Sequence, residues 1–202
     1  MCADLTFIEQ THSYYFKGQL VPGVTTLLRP IHDFSKIPRD ILEAAQARGT
    51  YVHRMTELYD LGELDEEALG AVEDGRWLGY LRAWKQFLED HEPNWVEIEQ
   101  MGYSQRYGFA GTWDRRGMLA RRYKGRFLID IKTAGEPADA WGVQTAAYRQ
   151  IASEVDFDAI LDRRATVQLA ADGSYKFLEW TQGDDFLVFK ALLTLHDWRA
   201  RR

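Results

Sequence analysis

Between Trp95 and Lys132 the chain carries three stretches rich in β-branched and aromatic residues, Trp95 to Tyr103, Phe109 to Ala120 and Arg126 to Lys132, with Gly108 and Gly125 at the breaks. Such stretches in close succession predict three strands of one sheet, antiparallel neighbours joined by short turns. Helical spacing flanks them. Ile41, Ala45, Val52, Met55 and Tyr59 recur at helical intervals behind Pro38, a residue that a first helical turn tolerates. Gly49 weakens this run and is expected to divide it into two shorter helices. Trp77, Leu81, Trp84 and Leu88 mark a second helix with a core-facing stripe. A third is expected from Pro137 to Ser153, and two further strands, Thr166 to Leu169 and Tyr175 to Trp180, flank the hairpin signal Asp172-Gly173. Asp184 or Asp185 is placed to cap a last helix that ends at Arg199-Ala200-Arg201-Arg202. At the other end, Asp4 to Val21 reads as a β-hairpin around Thr11-His12-Ser13. The expected fold is α/β, a mixed central sheet flanked by helices, with residues 1–202 in a single domain and the hairpin as an elaboration.

The net charge of −6 gives no global attraction to nucleic acid or to an anionic membrane, so any such partner must be met by a local basic surface. The stretch from Glu57 to Asp74 holds eight acidic residues and no basic one, and reads as a solvated loop that repels DNA. The single cysteine, Cys2, cannot form an internal disulfide or a thiolate metal cluster, in keeping with a reducing, cytoplasmic setting. No apolar run reaches membrane-spanning length, and the start at Met1 lacks the pattern of a signal peptide.

Alternation along Phe127-Leu128-Ile129-Asp130-Ile131-Lys132 places Phe127, Ile129 and Ile131 on one face and Leu128, Asp130 and Lys132 on the other. A carboxylate and an ammonium side by side on an apolar strand form either an ordinary ion pair or a site, because burying the pair is costly. Asp114, in Ala110-Gly111-Thr112-Trp113-Asp114, favours a site. A hairpin through Gly125 can bring it beside Asp130, and two like charges so close require a divalent cation. Hard oxygen ligands suit Mg²⁺, with Mn²⁺ as a substitute, and Lys132 would hold or help deprotonate the attacking water. Gln144 and Tyr148 form an i,i+4 pair that faces one way on the following helix.

Together these residues resemble the PD-(D/E)xK nuclease superfamily, in its RecB-like and phage recombination (lambda-type) exonuclease branch. The resemblance runs from about Arg48 to Trp180 and is carried by Gly49-Thr50-Tyr51-Val52-His53, Gly111-Thr112-Trp113-Asp114, Asp130-Ile131-Lys132-Thr133 and Gln144 through Tyr148, in the order of that family's αβββαβ core. It implies a restriction-endonuclease-like domain in which Asp114 and Asp130 bind the metals, the main-chain carbonyl of Ile131 and the side chain of His53 are further ligands, and Lys132 assists the water. Gln144 and Tyr148 would support the lysine and contact the DNA backbone. Glu99 matches an acid of the first strand, with Glu97 on the same face as its rival. Histidines 12, 32, 91 and 196 have no such company. Trp113 stands where many relatives have proline, and with no cysteine cluster no iron–sulfur centre is expected.

Arg115, Arg116, Arg121, Arg122, Lys124 and Arg126 lie between the two acids with no acid among them, and read as a phosphate track or as an ordinary exposed hairpin. Nothing resembles a base-reading module, so backbone contacts with little sequence preference are expected. The activity implied is Mg²⁺-dependent hydrolysis of DNA at duplex ends in phage-type recombination or repair. The alternatives are an endonuclease or single-strand nuclease of the same fold, a non-catalytic DNA-binding protein, and a small-molecule enzyme with a coincidental Asp-x-Lys. A single-strand annealing protein as partner follows from the resemblance alone. The apolar helix from Phe186 to Leu195 could bury itself in the fold or in a homo-oligomer.

Overall fold

The computed structural model describes residues 4–32, 37–71, 75–133 and 138–202; Cys2 and the expected helix start at Pro137 lie outside them. The N-terminal segment forms a three-stranded antiparallel meander of β1 (Leu5–Ile8), β2 (Ser13–Phe16) and β3 (Gln19–Val21), followed by the single turn α1 (Val24–Leu27). The hairpin expectation therefore missed one strand. Lys17 and Gly18, both at positive φ, make the second tight turn and return the chain as β3.

Next come α2 (Arg39–Asp60), the short α3 (Glu66–Ala71) and α4 (Leu78–His91). Helix α2 is continuous through Gly49, contrary to the expected division. A single glycine costs only about 1 kcal/mol in a helix, and the buried Val52 and Met55 on its C-terminal half fix it to the sheet. The acidic stretch is likewise not a plain loop. It contains α3, and its Asp60 is buried.

The central sheet has the order β4 (Pro93–Ser104), β5 (Phe109–Leu119), β6 (Gly125–Lys132), β7 (Arg163–Leu169), β8 (Tyr175–Trp180). Only the β6–β7 pair is parallel, and α5 (Ala140–Val155) makes the crossover that a parallel pair requires. The chain closes with α6 (Asp185–Ala200). Helix, three strands, helix and strand thus follow in the expected αβββαβ order, in an α/β fold with a mixed central sheet. Asp185 does not cap α6; its carboxylate pairs with Arg164, 2.9 Å away, and Asp184 at the helix start makes no side-chain capping bond.

Two cores sandwich the sheet, and β6 divides between them as its alternation predicts. Phe127, Ile129 and Ile131 pack with Val52 and Met55 of α2 and with Leu81, Trp84 and Phe87 of α4. Leu128 packs with Val143, Ala147 and Ile151 of α5 and with Phe189 and Leu192 of α6. The last helix therefore buries part of its apolar surface within the fold, while Leu187 and Trp198 stay exposed. No helix among the described residues is long and apolar enough to cross a membrane.

Candidate active site

Three elements converge on one point of the sheet: α2 brings His53, β4 brings Glu99 and β5 brings Asp114. One ligand atom from each lies within 4.8 Å of the other two. His53 Nδ1 is 3.1 Å from Asp114 Oδ1 and 3.9 Å from Glu99 Oε1.

Local backbone irregularities create this convergence. Glu99 has φ +46°, while its neighbours pair normally, Ile98 with Arg115 and Gln100 with Trp113. One residue is thus rotated out of a ladder whose register also shifts between Trp95 and Glu97, at a cost of about 1–2 kcal/mol for a non-glycine residue. Glu97, the rival acid, goes elsewhere. It accepts from Trp113 Nε1 at 2.8 Å and from Arg116 at 3.0 Å, outside the triad. On β5 the pairing with β6 ends at Arg115 and Ile129; beyond that point the Asp114 carboxylate accepts the Ile131 N–H. The contact seen at Ile131 is therefore its amide, whereas the resemblance invokes its carbonyl.

Asp130 and Lys132 form an ion pair of 2.7 Å on the adjacent strand. On α5, Gln144 Nε2 donates to the Tyr148 hydroxyl at 2.8 Å, and both residues are buried against the sheet. The Tyr148 ring needs Gly111 beneath it, because a Cβ there would lie 2.6 Å from the ring. Gly111→Ala is accordingly expected to destabilise the fold by about 1–3 kcal/mol, read as a lower denaturant midpoint. An unchanged midpoint would mean that the ring yields freely. Tyr14 of β2, which the sequence reading did not single out, bonds Thr112 Oγ1 at 2.9 Å and brings the N-terminal meander up to β5. The charges of Asp114 and Glu99 act on its hydroxyl, although burial is the main cause of its raised pKa.

The electrostatics are those of crowded acids. Burial alone would lower the His53 pKa, but the Asp114 charge and hydrogen bond outweigh it and push it up to about 9. Burial would raise Asp114, yet His53, Lys132 and the Ile131 N–H hold it below the usual carboxylate range. Glu99 is pushed up to about 8 by burial and by the Asp114 charge. Asp130 is raised by burial, which its pairing with Lys132 only partly offsets, and the Asp114 charge adds to the rise. The donor set is of a kind that suits a divalent cation: carboxylate oxygens and one imidazole.

The expected phosphate track is corrected at Arg115 and Arg116. Arg115 is fully buried: Nε reaches Asp60 Oδ2 at 2.7 Å, Nη1 reaches Glu99 Oε1 at 3.1 Å, and the guanidinium lies 5.5 Å from the Trp84 ring. Arg116 is buried among Glu97, Asp156 and Asp162. Both buried guanidinium groups are held by carboxylates, which leaves neither free for DNA. Asp60 was the missed partner. It lies seven residues after His53, two turns along the same helix face, and that spacing could have flagged it. Arg121 and Arg122 are exposed but pair with Glu92 and Asp90, and Arg126 pairs with Asp162. They and Lys124 sit around the β5–β6 turn, roughly 17 Å along β6 from Asp130, so that turn is at the far end of the strand from the acids.

Fold and site together define an α/β protein whose mixed sheet carries a cluster of cation-competent side chains next to an Asp–Lys pair. No family model matches the chain, and no curated protein matches it. Among solved structures it is similar to a "putative exonuclease" from Eubacterium rectale, with 10% identity and a TM-score of 0.49 over 75% of this chain. The chain spans 65% of that protein's length. It is also similar to SSO0001, with 14% identity and a TM-score of 0.35 over 73% of this chain and 82% of the other.

Proposed function

We propose that this chain is a divalent-cation-dependent deoxyribonuclease that acts at duplex ends. The observation that carries the reading is the convergence of His53, Glu99 and Asp114, from three separate elements, beside the Asp130–Lys132 pair. The ordered motifs from Gly49 to Tyr148 support it. His53, Glu99, Asp114 and Asp130 would hold the cation, Mg²⁺ by the preference of such ligands. When bound, it supplies positive charge for the phosphate and lowers the pKa of a nearby water.

The chain's own groups then have separable tasks. Lys132, held by Asp130, places an ammonium where negative charge develops as water attacks phosphorus and the P–O bond breaks. Arg115 fixes the Glu99 carboxylate, and the Ile131 N–H fixes that of Asp114. Gln144 and Tyr148 wall the site on the α5 side.

The test is a digestion time course on end-labelled duplexes with Mg²⁺, Ca²⁺ or EDTA, alongside a covalently closed circle. Shortening of linear DNA in Mg²⁺, none in EDTA and an intact circle are the expected results. Undiminished cleavage in EDTA would reject the cation, and cutting of the circle would replace the end-directed reading with an endonuclease.

A further inference from the structure

The part of β5 that leads into Asp114 has a neighbour on one side only within the central sheet. Pairing with β6 covers Arg115 to Leu119, whereas residues 109–113 pair with β4 alone among the described strands of that sheet. A strand end with one neighbour makes fewer ladder hydrogen bonds than an interior strand, and opens more easily.

The N-terminal segment supplies the second neighbour. The Ala110 N–H donates to the Pro22 carbonyl at 3.0 Å, and Gly23 forms a parallel bridge with Ala110. Further along, the Tyr14 hydroxyl shares a hydrogen bond of 2.9 Å with Thr112 Oγ1. Thr112 and Asp114 stand two residues apart on one strand, so their side chains share a face. Tyr14 is itself fixed. It is 5% exposed, belongs to a small core with Leu5 and Ala110, and its ring centre lies 4.7 Å from that of Phe7. Gly23 lets the backbone pass close by the ring, where a Cβ would come within 3.1 Å. Phe16, two residues on, stacks on Tyr103 of β4 at 4.0 Å. Phenylalanine would fill this core equally well, so packing alone does not account for the hydroxyl.

We infer that Tyr14 is a positioning residue for the proposed hydrolysis. Its hydroxyl, through Thr112, holds this end of β5 so that the Asp114 carboxylate stays where His53 and Glu99 meet it. The role rests on the nuclease reading and gives the N-terminal meander a part in the site.

Tyr14→Phe keeps the ring and removes the hydroxyl. Assayed on end-labelled duplexes in Mg²⁺, well below its denaturation temperature, it should lose about 10-fold in kcat with KM unchanged, the scale of one lost hydrogen bond. Calorimetry without DNA should show Mg²⁺ bound about 3-fold more weakly or worse. Thr112→Val should give the same losses and serves even if Tyr14→Phe disturbs folding. Thr112→Ser, which keeps the hydroxyl, should recover most of them. The double variant Tyr14→Phe/Thr112→Val should be no worse than either single change. A role confined to stability would lower the denaturation midpoint and leave kcat and Mg²⁺ affinity at parent values, which overturns the proposal. Losses that multiply in the double variant, or a Thr112→Ser variant as impaired as Thr112→Val, overturn it too. Weakened Mg²⁺ binding by Tyr14→Phe, with a parent that cuts no DNA, keeps the positioning role at the cation site and rejects the nuclease reading. Mg²⁺-dependent cleavage that Tyr14→Phe leaves unchanged does the reverse.

Discussion

Asp114→Asn is expected to reduce Mg²⁺-dependent DNA cleavage by about 10³-fold or more while the protein stays folded. The substitution removes the carboxylate at the centre of the cluster, the one in contact with both His53 and the Ile131 amide. An asparagine oxygen can still accept the Ile131 N–H, so the junction between β5 and β6 survives. Loss of the charge also relieves its repulsion with Glu99, whose protonation Asp114 promotes. Calorimetric titration with Mg²⁺ should show the binding lost together with the activity, and circular dichroism should be unchanged. A variant that cleaves at the parent rate would end the assignment. One that binds Mg²⁺ normally but no longer cleaves would move the cation away from Asp114.

Arg115→Met is expected to cost about 3–5 kcal/mol of stability, a large share of the 5–15 kcal/mol typical of a domain. The side chain is fully buried, and its partner Asp60 is only 3% exposed. Burial already raises the Asp60 pKa, and Arg115 is the chief group opposing that rise. Without the guanidinium, a buried carboxylate must either take up a proton or stay charged without compensation. The double variant Asp60→Asn/Arg115→Met should recover part of the loss, giving a coupling energy above about 1 kcal/mol in a double-mutant cycle. A cost below about 1 kcal/mol for the single variant would mean that water reaches Asp60 and that Arg115 is no structural post.

The two arginines mark the boundary of what the sequence could tell. The period-two pattern of Phe127 to Lys132 is read directly, because alternation along a strand assigns each side chain to one of the two covered faces. The helical stripes of α2 and α4 and the pairing of Asp130 with Lys132 were legible in the same way, from spacing and residue chemistry, whereas His53 entered only through the family resemblance and Asp130 lies outside the group that His53 forms with Glu99 and Asp114. Arg115 and Arg116 were read as surface because they are basic and lie in a charged stretch. Their burial depends on Asp60, Asp156 and Asp162, which come from α2 and from the region after α5. Only the tertiary fold brings those acids to β5. The persistence of α2 through Gly49 was hidden for a similar reason: a local propensity was outweighed by packing with distant residues. The left-handed turn at Glu99 has no signature in a sequence where glycine or asparagine would have announced it.

That turn trades backbone ease for the placement of a carboxylate. Glycine at position 99 would adopt the same backbone without penalty, but it would present no carboxylate to His53 or to the buried Arg115. The strain of the backbone and the ion pair with Arg115 thus oppose each other at one residue, and a search for hardier variants of this protein should hold that position fixed.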